Sequence, residues 1–272
     1  MLQRTKDHKY VNTLLLNHEY QSVTKVLETY KDPVPQQYWA WAKAVEALMG
    51  TVEYKAKRPH WKPDEMWLSE QSHLLGWDKV DALKAEILQG YGLASQEGLL
   101  KGTLHHDAEE TKDLKNKQTL HDLNVEYLPV KECQQITPEG NISWPVAPAD
   151  LIPGYVYLEY GLCLDRFAGT ADWVYPQLIQ GAKFISIKDH KTDKKFTMSN
   201  GLENLLYPVN HLQNCSFNRY ALQLSFYAYM FEQQGYIVKD LWIINNTAIK
   251  VLPYLRKEII SILEHQSSLL QF

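Results

Sequence analysis

The 272-residue chain is short of cysteine, with Cys133, Cys163 and Cys215 as its three thiols. They lie far apart and form no CxxC pair, which excludes a disulfide framework and a zinc or iron–sulfur ligand set. No apolar run approaches the length that a membrane span requires. The first residues, Met1-Leu2-Gln3-Arg4-Thr5-Lys6-Asp7-His8, carry no apolar stretch of the secretory kind. The expectation is a soluble, cytoplasmic protein with reduced thiols and no membrane partner. Charge of one sign is scarce too. A net formal charge of −4 excludes a polybasic nucleic-acid wrapper. No internal repeat or low-complexity segment is present. There is no GxSxG elbow, which leaves a Ser-His-Asp hydrolase without support. Without a Walker loop or a dinucleotide fingerprint, ATP is not expected to be consumed by this chain.

What remains is an ordinary globular composition, 45% hydrophobic and 22% charged, in a chain long enough to bury a sizeable core. Residues 1–100 read as mainly helical after a short strand or edge around Val11 to Leu16. Ser22 caps a first helix, Tyr38 to Met49 closed by Gly50 gives a second, and Trp77 to Leu93 carries Val80, Leu83, Ile87 and Leu88 at helical spacing. Gly102-Thr103 is expected to open a further helix to about Lys117. Pro129 to Pro153 reads as loop. From Tyr155 the texture changes to three strand-like runs, Tyr155–Tyr160, Gly169–Tyr175 and Lys183–Asp189. An amphipathic helix from Phe217 to Gln233, a strand at Leu241–Ile244 and a helix from Tyr254 to about Leu263 complete the chain. Strands in succession, then joined by a helix to another strand, predict an α/β fold with a mixed sheet flanked by helices. The organisation expected is a helical N-terminal region over 1–100 packed on a core over 101–272.

The chemistry-bearing residues cluster in the second part. Asp189 continues the alternation of Ile185 and Ile187, and Lys191 falls two residues on, hence on the same side of the strand. Asp172 on the neighbouring strand can join them. Two carboxylates of this kind suit Mg²⁺ or Mn²⁺. An Asp-x-Lys alone occurs about once per chain of this size, so its company decides. Gly102-Thr103-Leu104-His105-His106-Asp107-Ala108-Glu109-Glu110 fits GTxxHxxxE, a pattern expected by chance in roughly one chain in a thousand. Its His106 and Glu110 stack one turn apart on a helix face. Gln223 and Tyr227 share a face of the long helix in the same way, a weaker signal. From Lys183 to Lys195 five lysines face two aspartates, a local positive excess beside the acidic pair that suits a phosphate backbone. Trp173, Tyr207 and Phe217, with Trp61 and Trp67 behind them, are candidates for stacking on unpaired bases. Structural core is the stronger reading for each one singly.

Taken together and in this order, the motifs resemble the PD-(D/E)XK nuclease superfamily, and more narrowly its RecB-type branch of recombination exonucleases and phage nucleases. The resemblance runs from about Tyr20 to Arg256. It implies a restriction-endonuclease-like core and a metal-dependent deoxyribonuclease, with an exonuclease on linear or single-stranded DNA favoured over an endonuclease. It implies that His106, Asp172, Asp189 and the main-chain carbonyl of His190 bind Mg²⁺ or Mn²⁺, and that Lys191 activates water and stabilises the transition state. Glu110 takes the place of the family's helix-borne acid, and Gln223 and Tyr227 that of its orienting pair. Some relatives hold an iron–sulfur cluster on four cysteines, a set this chain does not have. A helicase or recombination protein would be a separate partner, the host cytoplasm the setting for a phage-encoded protein. Two other classes stand beside this reading. One is a catalytically idle DNA-binding or assembly module on the same fold, which predicts a missing ligand or lysine. The other is a metal-dependent phosphatase, which predicts a nucleotide-sized pocket.

Overall fold

The computed structural model describes residues 2–7, 9–14, 18–31, 36–60, 62–116, 129–144, 147, 150–191, 197–199, 203–245 and 248–269. The chain divides into two compact units, one comprising Met1–Asp32 and His105–Phe272, the other Pro33–Leu104. The first thirty-two residues therefore count with the second part of the chain rather than with the helical region. The cause is strand pairing. Strand β3 (His18–Ser22) runs parallel to β8 (Phe167–Ile179), with Gln21 opposite Phe167 and Ser22 opposite Ala168.

The larger unit is built on a mixed eleven-stranded sheet flanked by helices. Its centre is the meander β7 (Val156–Leu164), β8 and β9 (Ala182–His190), antiparallel throughout. Local chemistry sets both hairpins. Asp165, a residue type that tolerates left-handed backbone, turns β7 into β8 at φ 50°. Gln180 and Gly181, both at positive φ, join β8 to β9, the two-residue arrangement whose twist matches the flanking strands. Helix α6 (Ser216–Glu232) then crosses over, and Gly235 at φ 84° lets the chain leave it and enter β10 (Ile237–Asn245). Strand β10 lies parallel to β9 and forms a hairpin with β11 (Ala248–Leu252). On the other side of β3 the sheet continues through β2 (Tyr10–Asn12), β1 (Leu2–Arg4), β6 (Ile142–Trp144) and β5 (Gln135–Ile136), while β4 (Val130–Glu132) pairs with β7. The expected loop from Pro129 to Pro153 thus contains three strands, each too short to show a period.

Apolar side chains of β7, β8, β9, α1 (Val23–Glu28), α6 and α7 (Arg256–Ser268) form one core. Tyr160 stacks on Phe231 with ring centroids 5.8 Å apart, and Phe167 meets Phe226 edge-on at 5.4 Å. Each fully buried Leu, Ile or Phe of this set contributes roughly 1.5–3 kcal/mol. The opposite face of β7 and β8 carries a smaller cluster of Val156, Leu158, Trp173 and Tyr175.

The second unit is helical: α2 (Gln36–Met49), α3 (Thr51–Lys57), α4 (Glu65–Leu75) and α5 (Trp77–Asn116) as far as Leu104. Its core comprises Ala42, Ala44, Val45, Tyr54, Leu68 and Val80. Asp64 caps α4 by accepting the Trp67 N–H at 2.7 Å. Helix α5 runs unbroken where two helices were expected, one ending at Leu93 and the next opening at Gly102; a glycine within a helix costs about 1 kcal/mol relative to Ala yet leaves the hydrogen-bond ladder whole. Among the described residues no helix is long and apolar enough to cross a membrane.

Candidate active site

Strand alternation places the acids. Val174 on β8 lies opposite Ile187 on β9, and both join the core beneath α6. Two residues along each strand in opposite directions, Asp172 and Asp189 follow on that same face. The neighbouring pair Trp173 and Lys188 points the other way, with the Lys188 ammonium 4.9 Å from the Trp173 ring centre. Asp189 is 2% exposed. The His190 N–H donates to Asp172 Oδ2 at 2.7 Å, tying the two strands together at the acids themselves.

Lys191 completes the group. Its N–H donates to the Ile244 carbonyl at 2.8 Å, extending the β9–β10 pairing by one residue and fixing the backbone. Its Nζ stands 2.6 Å from Asp189 Oδ2 and 5.1 Å from the Tyr220 ring centre. The contact with Asp189 is ionic, since Oδ2 is buried without an aligned hydrogen bond among the described residues. An ammonium, a carboxylate and a second carboxylate therefore share one small volume at the end of β9.

Burial holds the Asp172 carboxyl well above the ordinary carboxylate range. The negative charges of Asp189 and Glu159 push it further the same way, against the pull of Lys191 and of the His190 N–H. Desolvation and crowded like charges are the condition that a bound cation relieves. Glu159 is the residue that sequence reasoning missed. It sits in the middle of β7 at φ 46°, between Leu158 and Tyr160, whose partners on β8 are Trp173 and Ala171. That brings acids from three adjacent strands to one stretch of sheet. A lone Glu within Val-Tyr-Leu-Glu-Tyr-Gly-Leu was the available signal.

Helix α6 lies over this region. Gln223 Nε2 donates to the Tyr227 hydroxyl at 3.3 Å, so the expected pair does meet. Tyr227 is buried, and desolvation raises its pKa, with the negative charges of Asp189 and Asp172 adding to the rise. It is thus a neutral hydroxyl, able to donate as well as accept. Its ring lies against Gly169, where an added Cβ would come within 2.5 Å of Cε1.

The structure brings together Asp172, Asp189, His190 and Lys191, and separately pairs Gln223 with Tyr227. His106 and Glu110 are on the helical backbone of α5, but their side chains lie outside the described residues, as do Lys194, Lys195 and Trp61. Trp173 is 1% exposed within a core cluster, so it is not available for base stacking. Phe217 packs against the main core and Trp67 against that of the helical unit. Tyr207 is 69% exposed.

For a divalent cation the donors on hand are hard oxygens, which fits Mg²⁺ or Mn²⁺. Asp172 and Asp189 would hold it, with the His190 carbonyl and His106 as the remaining expected donors. Among the described residues no three His, Cys, Asp or Glu side chains converge as a ligand group.

Compared with known proteins, the chain matches no family model, no curated protein and no solved structure.

Proposed function

We propose that the chain is a metal-dependent deoxyribonuclease with a restriction-endonuclease-like core, of the RecB-type branch of PD-(D/E)XK enzymes, acting on linear or single-stranded DNA. The single observation that carries this reading is the meeting of Asp172, Asp189 and Lys191 on one face at the end of β9, with the ammonium 2.6 Å from a carboxylate oxygen.

Mg²⁺ or Mn²⁺ held by the two aspartates would supply charge neutralisation at the phosphate and a more acidic bound water. The chain's own groups do the rest. Lys191, anchored through its N–H and steadied by Tyr220, offsets negative charge as it develops on the phosphate oxygens and orients the attacking water. The paired carboxylates supply the acceptor oxygens that would hold that cation. The Gln223–Tyr227 pair presents an amide and an un-ionised hydroxyl from the covering helix, positions from which it would orient the lysine or the scissile strand.

Replacing Lys191 by Ala tests the reading. Hydrolysis should be lost while DNA binding persists, because the lysine acts on the transition state more than on the bound strand. Full activity in that variant would remove the chemistry assigned here. Binding without cleavage by the wild-type protein in either metal would favour the idle DNA-binding module.

A further inference from the structure

Lys191 also lines a pocket of about 300 Å³ in the larger unit. Its wall is drawn from α1 and the residues after it, from Leu205 and from the first turns of α6. The polar lining is Thr24, Lys31, Lys191, Arg219 and Gln223, and the apolar floor is supplied by leucines that include Leu27 and Leu222. Three cations and no carboxylate line it among the described residues.

Lys191 is paired with Asp189 at 2.6 Å, and the other two cations are engaged less. Lys31 Nζ is 3.6 Å from Glu28, whose side chain is 61% exposed, a loose surface pair of little worth. Arg219 is different. Its Nε is buried and has no hydrogen-bond partner among the described residues, an arrangement that is costly unless an acceptor enters the pocket. A guanidinium takes a phosphate through two parallel N–H···O bonds, which a lysine cannot do. Lys191 belongs both to this wall and to the acidic group, so an anion seated here would lie next to the reacting position.

We propose that this pocket seats a phosphate group of the DNA chain adjacent to the bond that is cut, with Arg219 and Lys31 as its binding residues. The inference rests on the nuclease reading of Lys191 and deepens it by assigning the substrate's neighbouring phosphate. The phosphate is either an internal diester or a terminal monoester, and both offer the same oxygens to the guanidinium.

The experiment uses the full chain and three single-stranded oligonucleotides carrying a 5′-phosphate, a 3′-phosphate or hydroxyls at both ends. Binding is followed by fluorescence anisotropy in EDTA across a KCl series, and KM and kcat for cleavage are measured in Mg²⁺. Arg219→Gln and Lys31→Gln are compared with wild type and with Lys239→Gln, a surface change at the far end of β10. Each pocket variant should weaken binding about tenfold, lower the steepness of the salt dependence by about 0.7, and raise KM more than it lowers kcat. Lys239→Gln should leave all three unchanged. Loss confined to one phosphorylated end assigns a terminal phosphate, and loss with every oligonucleotide assigns an internal one. If the pocket variants bind and cleave as wild type while Lys191→Ala is inactive, the pocket is not a phosphate seat and the nuclease reading stands. If wild type neither binds nor cleaves, both fall together. Should Arg219→Gln not fold by circular dichroism, Lys31→Gln decides alone.

Discussion

Replacing Gly169 by Ala ought to be beneficial by conformational entropy alone, since Gly→Ala at a compatible backbone position gains about 0.4–1 kcal/mol. The close approach of Tyr227 reverses the sign. The new Cβ would lie 2.5 Å from the ring's Cε1, 2.9 Å from the hydroxyl and 3.1 Å from Cζ. Tyr227 is 2% exposed, so the ring has nowhere to swing, and overpacking of this kind costs about 1–3 kcal/mol. The net loss expected is about 1–2 kcal/mol, or about 2–8 °C in thermal midpoint for a chain of this size. Removing the ring should remove the clash. Tyr227→Ala costs about 3–5 kcal/mol by itself, but adding Gly169→Ala to it should be neutral or slightly stabilising. The assay is a double-mutant cycle by thermal and denaturant unfolding of the four proteins. Equal losses from Gly169→Ala in both backgrounds, or an unchanged midpoint in the single variant, would refute the close docking of α6 on β8 that positions the candidate site.

Other expectations follow from the same geometry. The Asp172 carboxyl has a raised folded-state pKa, so the folded protein holds that proton more tightly than the unfolded chain. Its contribution is complete below the ordinary value of 3.8 and is lost as pH climbs from there through the folded pKa. Unfolding free energy in metal-free buffer should therefore fall over that range in wild type and much less in Asp172→Asn, which should be about 0.5–2 kcal/mol more stable at neutral pH while failing to cleave DNA. Glu159→Gln removes one of the charges that raise Asp172, so the same denaturant titrations should show a narrower pH window of loss. Leu68→Ala empties a fully buried position in the helical unit and should cost about 2–5 kcal/mol, read as an earlier loss of helical circular dichroism.

Strands β8 and β9 and helix α6 were legible because their periods are long and unmixed, as in Lys-Phe-Ile-Ser-Ile-Lys-Asp. The same alternation made Asp189 and Lys191 legible as a same-side pair. Strands of two or three residues, such as β5 and β6, carry no measurable period, and β11 followed β10 too closely to be separated from it. The pairing of β3 with β8 joins segments far apart in the chain, and nothing local announces it. Helix α5 was expected as two helices, but the propensity cost of its glycines, about 1 kcal/mol each, is not enough to end so long a helix. The cationic pocket could not be read at all, since Lys31, Lys191 and Arg219 come from three separate segments. Glu159 escaped because one acid in an apolar strand has no motif around it.

The central claim is metal-dependent hydrolysis of DNA, and end-labelled linear single- and double-stranded DNA alongside closed circles, with Mg²⁺, Mn²⁺ or EDTA, tests it most directly. The account predicts loss of linear but not circular DNA in either metal, none in EDTA, and release of label from one end first. Intact linear and circular DNA under every condition would contradict it.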